Sequence, residues 1–273
     1  METNKFHQPG EHRAARVEDL FAIVAPRYDL INDLQSLGLH RRWKRALVEL
    51  AGVHPGDRAL DVCCGTGDVA FGLRQRGAEV TALDFSPAML AVAQLRAQDC
   101  SGGLRPPGKR SPCSGGLRPP GKRVPCSGGL RPPGNTPPPV QFLRGDALRL
   151  PFPAESFDVV TVAYGLRNLS DWERGLEEMW RVAKPGARLL VLDFGKPDNP
   201  LWRRLYFAYL KFLVPWFGKI LCHDSATHAY IFASLQDYPA QRGVAAKMES
   251  LHCAAIQVRN LMGGAMSINF ARK

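Results

Sequence analysis

The sequence Ala59-Leu60-Asp61-Val62-Cys63-Cys64-Gly65-Thr66-Gly67-Asp68 decides the fold. Its apolar run over residues 58–63 predicts a short buried strand, Gly65-Thr66-Gly67 predicts a turn, and a helical pattern begins at Asp68. A strand, a glycine turn and a helix in that order are typical of the nucleotide site in a doubly wound α/β sheet. Since glycine carries no Cβ, the backbone can approach a ligand closely, and the N–H groups at the helix start can bind an anion.

Two classes of ligand compete for this turn. The pattern Gly65-x-Gly67-x-x-Ala70 also fits the dinucleotide fingerprint. Asp61 discriminates between the two classes, because its carboxylate would repel a pyrophosphate and attract the ammonium group of a methionine moiety. The methionine carboxylate could then bind the N–H groups of the turn. This charge arrangement favours S-adenosylmethionine as cofactor over a nicotinamide dinucleotide, and a turn without any ligand is the plain alternative.

Acidic residues at two later strand ends extend the candidate cofactor site. Asp84 ends a predicted strand over residues 78–84, where a carboxylate can accept both ribose hydroxyls. Asp146 and Ala147 follow a predicted strand over residues 140–144, so that Asp146 could accept from an adenine amino group and the N–H of Ala147 could donate to the ring. A surface aspartate ahead of a helix and a plain turn are the alternatives. We expect Asp61, Gly65, Thr66, Gly67, Asp84, Asp146 and Ala147 to bind the cofactor.

The later elements decide between methyltransferase and dehydrogenase sheets. Strands are predicted over 157–163, 187–192, 254–260 and 265–271, and Lys184-Pro185-Gly186 is predicted to end the helix that begins near Asp171. An antiparallel final strand is typical of a methyltransferase sheet. We therefore predict an α/β class I S-adenosylmethionine-dependent methyltransferase fold, whose doubly wound, mostly parallel seven-stranded sheet has an antiparallel last strand.

The chain outside this sheet divides into a lid and an apolar segment. Helical patterns within residues 1–52 precede the first strand and predict a lid over the site, while residues 53–273 form the methyltransferase domain. Residues 201–221 are rich in large apolar side chains interrupted by Arg and Lys. They could cover an apolar substrate pocket or pack as ordinary core.

A tandem repeat interrupts the predicted domain at residues 100–139. Its period is 13 residues, and it holds 11 of the 22 prolines and 9 of the 26 glycines. So little apolar content cannot offset the entropy of ordering, and we expect a disordered insertion away from the site, with a basic tether for acidic lipid or RNA as alternative. The repeat also carries seven cations and no acid, without which the net charge of +11 falls to +4. That mildly basic remainder argues against nucleic-acid binding.

Composition excludes several other classes of protein. The polar start predicts no secretory signal, and no apolar run reaches the roughly 18 residues of a membrane span. The seven cysteines show neither a zinc spacing nor a disulfide framework, and His223, Asp224 and His228 lack a convincing ligand spacing. We expect a reduced, cytoplasmic protein without a metal.

Four sequence strings occur in order along the chain. They are Tyr28-Asp29-x-x-Asn32-x-x-x-Ser36-x-x-x-His40-x-x-Trp43, Leu60 to Asp68, Tyr164-Gly165-Leu166-Arg167-Asn168, and Arg181-Val182-x-Lys184-Pro185-Gly186. With these strings, the chain resembles the ubiquinone/menaquinone biosynthesis C-methyltransferase family over residues 13–99 and 140–273. This likeness implies methylation of demethylmenaquinol or of a polyprenyl benzoquinol, with Thr66, Asp84, Asp146 and Ala147 as cofactor contacts. The chain departs from the family at Ala163, where Ser is frequent, and at Asp193, where Glu is common.

A quinol ring carbon attacks well only when the neighbouring hydroxyl is deprotonated. Because a phenol has a pKa of about 10, the site needs a base or a cation. Arg167 could stabilise the phenolate, and His40, Asp33 and Tyr164 are candidates for proton removal. A structural hydrogen bond at a helix start is the alternative for His40.

The implied substrate is a lipid-soluble quinol, which suggests peripheral contact with the inner face of the membrane. A methyltransferase acting on another lipid or phenol stays an alternative. A further alternative is a non-catalytic protein of this fold that binds its partner through the basic repeat. The oligomeric state is left open by the sequence.

Overall fold

The computed structural model describes residues 13–100, 138–214 and 226–273, so most of the repeat lies outside the described residues. The described residues form seven strands: β1 Arg58–Val62, β2 Glu79–Asp84, β3 Gln141–Arg144, β4 Phe157–Ala163, β5 Ala183–Phe194, β6 Ala254–Leu261 and β7 Met266–Arg272. They form one sheet in the order β3-β2-β1-β4-β5-β7-β6. β1 to β5 pair in parallel and β7 is antiparallel to both its neighbours, which confirms the predicted sheet.

The helices are α1 Arg13–Val24, α2 Tyr28–Ser36, α3 Leu39–Leu50, α4 Asp68–Gln75, α5 Pro87–Cys100, α6 Trp172–Val182, α7 Pro200–Ala208, α8 Ala226–Asp237 and α9 Ala240–Ser250. A π-helical turn, Tyr209–Leu213, continues α7, and a 3-10 turn, Leu166–Asn168, follows β4. Helix α8 is not predicted from the sequence, because its apolar residues show no one-sided periodicity. Within the described ranges, no helix has both the length and the apolarity needed to span a bilayer.

Both faces of the central strands are buried, as expected for parallel strands covered by helices, whereas the edge strands β3 and β6 are largely exposed. Along β1, Ala59 packs into a core with α3, α4 and α5, whereas Leu60 packs into a core with α6 and α9. This double burial explains why the central strands have continuous apolar sequences rather than alternating ones.

Helix α6 ends at Val182, just before Lys184-Pro185-Gly186, where the sequence predicts its end. The strand that follows begins at Ala183 rather than at residue 187. Phe157 of β4 pairs with Ala183 but Val159 pairs with Arg188, so the register of β5 shifts here, and Gly186 takes a φ of +78° within the irregularity. The early start of β5 could not be predicted, because the pairing of Ala183 with Phe157 is not visible locally.

Helices α1 to α3 contact the sheet and the helices that cover it. Val24, Ala25 and Ile31 pack with Met89 of α5, and α3 packs against α4 and β5. The chain re-enters the described region at Pro138, whose carbonyl accepts from Nε of Arg74 in the last turn of α4. Pro138 therefore lies at the amino edge of the sheet, opposite the carboxyl ends of the strands.

Candidate active site

The glycine turn has the predicted strand–turn–helix form. Gly65 and Gly67 both take positive φ, and Gly67 directly precedes α4. A Cβ on Gly67 would lie 2.9 Å from the Phe71 ring, so the close packing of this turn requires glycine. Beside the turn lies a cavity of about 120 Å³, which we call the turn cavity. Of the predicted cofactor residues, Gly65, Asp84, Asp146 and Ala147 line the turn cavity.

Asp84 joins the end of β2 to the turn. Its Oδ2 accepts from the backbone N–H of Gly65 (2.7 Å) and its Oδ1 accepts from that of Ser86 (2.9 Å). Burial raises the pKa of the Asp84 carboxyl. Each oxygen keeps a second lone pair, so the predicted acceptor role toward ribose is compatible with these bonds. Asp146 is exposed, and its Oδ1 accepts from the N–H of Leu148 (2.8 Å).

Asp61 lies beneath the turn rather than in the wall of the cavity. It faces Thr161 across the β1–β4 pairing, and the Thr161 hydroxyl donates to its Oδ1 (2.8 Å). Its Oδ2 is buried without a hydrogen-bond partner. Burial raises the pKa of Asp61 to about 7. A buried carboxylate oxygen without a donor is suited to a cationic group, which fits the ammonium group of S-adenosylmethionine.

Thr66 and Gly67 are buried and do not line the turn cavity. The Thr66 hydroxyl donates to Oδ1 of Asp29 in α2 (2.9 Å). Arg96 of α5 donates to Asp29 (3.1 Å), to the Thr66 carbonyl (2.8 Å) and to Asp68 (2.5 Å). Lys44 of α3 donates to the other oxygen of Asp68 (2.9 Å). This ion network fastens the lid to the turn.

A second, larger cavity of about 590 Å³ lies under the lid, and we call it the apolar cavity. Its walls come from α1 to α3, from α7 with its π-helical turn, from α8 and from the ends of β5 and β7. Phe21, Tyr28 and Tyr164 line both cavities. A group transferred from the turn cavity would therefore reach the apolar cavity beside these three rings.

Three of the four predicted catalytic residues, His40, Tyr164 and Arg167, line the apolar cavity. The Tyr164 hydroxyl, Nε2 of His40 and Nε of Arg167 are all buried without a hydrogen-bond partner. Asp33 does not line the cavity. It lies behind His40, with Oδ1 3.7 Å from Nδ1, and its carboxylate accepts from Nε (2.7 Å) and Nη2 (2.5 Å) of Arg41.

Arg167 is held by a buried ion pair. Its Nη1 donates to Oδ1 of Asp193 (2.8 Å) and to the carbonyl of Tyr164 (2.8 Å), and its guanidinium lies 4.4 Å from the centre of the Phe194 ring. Burial opposes the charge, but the attraction of Asp193 outweighs it and raises the pKa of Arg167. Asp193 stands where Glu is common in the family, and it too places a carboxylate beside Arg167.

Burial also sets the protonation of the two other cavity residues. It raises the pKa of Tyr164 well above its ordinary value, so the phenol stays protonated and can donate a hydrogen bond. Burial and the neighbouring Lys44 lower the pKa of His40, so its imidazole is neutral near pH 7 and can accept a proton. A neutral imidazole and a protonated phenol face one cavity.

Several residues of this site are not predicted from the sequence. Tyr28 and Asp29 stand in a quoted motif, so their position could have signalled a role, whereas Lys44 and Arg96 carry no local pattern. Asp193 was noted only as a departure. In the described parts of the chain, no cluster of His, Cys, Asp or Glu could hold a metal. His223 and Asp224, considered above, lie outside the described residues.

Comparison with known proteins agrees with this geometry. The model of the ubiE/COQ5 methyltransferase family matches residues 10–103 and 130–273, so the match is interrupted inside the repeat. The chain is 37% identical over 266 residues to a ubiquinone/menaquinone biosynthesis C-methyltransferase UbiE of Ectopseudomonas mendocina, covering 96% of this chain and 90% of that protein. It is 36% identical over 264 residues to the UbiE of Teredinibacter turnerae, covering 96% and 92%.

Solved structures share the fold at low sequence identity. An S-adenosylmethionine-dependent methyltransferase of Methanococcus maripaludis aligns with a TM-score of 0.54 at 14% identity, covering 91% of each chain. The [4+2]-cyclase SpnF aligns with a TM-score of 0.55 at 18% identity, covering 95% of this chain and 96% of that one. Since one of these two neighbours is named a cyclase, the fold by itself does not determine the reaction.

Proposed function

The chain belongs to the ubiE/COQ5 methyltransferase family, and from that premise we propose that it methylates a ring carbon of a prenylated quinol. The specific reaction we propose is the conversion of demethylmenaquinol to menaquinol. Methylation of 2-polyprenyl-6-methoxy-1,4-benzoquinol, in ubiquinone biosynthesis, is the alternative within the same family.

The contact between the two cavities carries this proposal. One cavity lies beside the glycine turn, the other is large and apolar, and Tyr28 and Tyr164 line both. A ring at this boundary could receive a methyl group while its prenyl chain lies among apolar side chains. Large apolar cavities with few polar groups are typical of sites for lipid-soluble ligands.

S-Adenosylmethionine is the cofactor of this family, and when bound it supplies an electrophilic methyl group on a sulfonium. The residues present fit it. Oδ2 of Asp61 can accept from its ammonium group, and the N–H groups at the start of α4 can bind its carboxylate. Asp84 can bind the ribose, while Asp146 and Ala147 lie where an adenine ring would be held.

The polar groups of the apolar cavity can prepare the quinol for attack. Nε of Arg167 can donate to a quinol oxygen and stabilise it as the proton leaves. Nε2 of His40 can take that proton, since its imidazole is neutral. Tyr164 remains protonated, so we assign it a donor role toward the quinol rather than proton removal. Asp33 acts on His40 and does not touch the substrate.

The aromatic walls favour a bicyclic substrate. Tyr164 and Phe194 form an edge-to-face pair with ring centres 5.9 Å apart, and Phe21 and Tyr28 form another at 6.3 Å. A naphthoquinol ring buries more apolar surface against such walls than a benzoquinol with a polar methoxy group. This difference supports demethylmenaquinol as the substrate.

The assay that tests this function uses labelled S-adenosylmethionine with reduced demethylmenaquinol or reduced polyprenyl methoxybenzoquinol in separate reactions. Label in menaquinol, with a kcat/KM larger than for the benzoquinol, is the expected result. The reverse preference would assign the ubiquinone reaction instead. Label in neither product would reject quinol methylation and favour another lipid or phenol.

We also propose that the mouth of the apolar cavity contacts a membrane surface with anionic lipids, at the cytoplasmic inner face. Large apolar side chains lining the cavity are exposed there: Leu34, Leu37, Leu205, Leu213 and Met262. Exposed cations accompany them at Arg203, Arg204 and Lys211, and residues 199–214 contain no acid. Apolar side chains flanked by cations are suited to anionic lipid, in which a prenylated quinol is dissolved.

A further inference from the structure

The motif residues Asn32, Ser36 and His40 are spaced by four, and the structure shows what this spacing brings together. Ser36 is the last residue of α2, Leu37 takes a left-handed conformation with a φ of +51°, and α3 begins at Leu39. The Ser36 side chain therefore lies between the last turn of α2 and the first turn of α3, where it meets both Asn32 and His40.

Counting protons identifies the donors around Ser36. Its hydroxyl has one hydrogen, and Oγ lies 2.6 Å from the carbonyl oxygen of Asn32, which can only accept. Oγ also accepts from the backbone N–H of His40 (3.2 Å). Nδ1 of His40 lies 2.9 Å from the same oxygen, so it must be the donor in this third contact. The hydroxyl then donates its one hydrogen and accepts with both of its lone pairs.

The neighbouring carboxylate favours the same tautomer. Oδ1 of Asp33 lies 3.7 Å from Nδ1 of His40, and an N–H there is attracted by the carboxylate whereas a lone pair would be repelled. Two hydrogen bonds from Arg41 hold the Asp33 carboxylate in place. In the other tautomer, the buried Nε2 would hold a hydrogen without an acceptor, and the Asn32 carbonyl would lose its bond from Ser36.

We propose that Ser36 is a positioning residue that fixes His40 as the Nδ1–H tautomer, which presents the Nε2 lone pair to the apolar cavity as the base for the quinol hydroxyl. The base assignment rests on the proposed function, whereas the tautomer does not. The charged groups that act on His40 are Asp33 and Arg41 beside it, Lys44 on α3 and Asp68 on α4. Asp33 stabilises the imidazolium that forms when Nε2 takes a proton.

The proton balance of the reaction is complete with this base. The quinol hydroxyl gives its proton to Nε2, and the ring carbon gains the methyl group as the carbon–sulfur bond breaks and its electron pair stays on sulfur. The ring carbon then loses its hydrogen as a proton to water, and His40 returns its proton to the quinol oxygen. The net products are the methylated quinol, the thioether and one proton.

The tautomer can be measured in the protein without substrate. In two-bond ¹H–¹⁵N spectra of ¹⁵N-histidine-labelled protein, assigned by comparison with His40→Gln, the His40 signal should show Nδ1 protonated and Nε2 unprotonated above the His40 pKa. An Nε2–H signal would overturn the proposal outright, whether or not any quinol is methylated.

Two substitutions at one position connect the tautomer to turnover. Ser36→Ala should give a mixture of tautomers, a kcat lowered about tenfold and an altered acidic limb of the pH–kcat profile, without a change in the affinity for S-adenosylhomocysteine. Ser36→Thr keeps the hydroxyl and should restore both the Nδ1–H signal of His40 and the wild-type kcat. Ser250, whose hydroxyl also donates to a carbonyl of its own helix (2.8 Å), provides the control Ser250→Ala.

A Ser36→Ala protein with the wild-type tautomer and wild-type kcat would also overturn the proposal. Thermal melting of all three variants separates loss of folding from loss of the tautomer. If neither quinol is methylated by the wild-type protein, the proposed function fails, while the spectrum still decides the tautomer.

Discussion

Nη1 of Arg167 lies 2.8 Å from Oδ1 of Asp193, and both side chains are buried. The two residues come from different elements, the 3-10 turn after β4 and the end of β5. Because the carboxylate balances the guanidinium charge, the arginine can be buried beside an apolar cavity with its Nε still unbonded. Arg167 can therefore act as a fixed donor toward substrate rather than as a mobile cation.

Replacing this arginine should affect turnover much more than cofactor binding. For Arg167→Ala we expect kcat to fall about a hundredfold, the usual cost of removing a donor that stabilises a developing oxyanion. The dissociation constant of S-adenosylhomocysteine, measured by calorimetry, should stay nearly constant, since Arg167 does not line the turn cavity. Asp193→Asn is the companion variant, with a smaller loss. Unchanged turnover in Arg167→Ala would remove this residue from the mechanism.

Cofactor affinity should depend on pH through Asp61. Burial raises its pKa to about 7, and the ammonium group of the cofactor requires the ionised carboxylate. Below pH 7 binding must first release a proton, so affinity for S-adenosylhomocysteine should fall by about tenfold per pH unit as the pH is lowered from 7 to 5. Calorimetry on wild type and Asp61→Asn tests this, because the variant should bind S-adenosylhomocysteine weakly at every pH and its affinity should not change with pH. An equal dependence of affinity on pH in both proteins would show that Asp61 is not the titrating group.

The same carboxyl should lower stability at alkaline pH in the absence of cofactor. A pKa raised from about 3.9 to about 7 means that the folded state binds this proton more tightly than the unfolded state. The contribution of Asp61 to the free energy of unfolding is therefore lost as pH rises from 4 to 7. Asp61→Asn should have a higher Tm than wild type at pH 8 and a nearly equal Tm at pH 4. A variant less stable than wild type at pH 8 would contradict the assignment.

Charge reversal at the cavity mouth should weaken membrane binding. We expect Arg203→Glu/Arg204→Glu to lose most of its sedimentation with phosphatidylglycerol vesicles, since each cation near an anionic surface contributes about 1 kcal/mol. Binding of the wild type should decrease with salt and be weak on phosphatidylcholine alone. Arg76→Glu/Arg272→Glu makes the same charge change at exposed positions on the amino edge of the sheet. Equal losses of vesicle binding in the two double variants would contradict the proposal, because only the net charge of the protein would then matter.

Removing part of the repeat should leave the reaction intact. Deletion of residues 104–129, the interval that the family model skips, keeps a linker between α5 and Pro138, which attaches at the amino edge of the sheet. Both cavities lie at the carboxyl ends of the strands, so kcat/KM for the quinol should stay within about twofold. A loss of activity with unchanged S-adenosylhomocysteine binding would favour the interpretation in which the repeat itself binds the partner.

The parts of this site that follow one another in the chain could be predicted, and the parts joined only in space could not. The glycine turn at Gly65 and Gly67 and the strand end at Asp84 are predicted correctly because both are local patterns. The pairing of Arg167 with Asp193 and that of Thr66 with Asp29 depend on how the lid and β5 pack. Asp33 stands eight residues before Arg41, and its sequence position alone could not show that it lies behind His40.

Tyr28 and Tyr164 line the two cavities at once, and Tyr28 belongs to the lid. Because α2 supplies part of this shared wall, any displacement of the lid changes both cavities at once. We therefore expect sequential kinetics, in which both reactants are bound before the methyl group is transferred directly from one to the other.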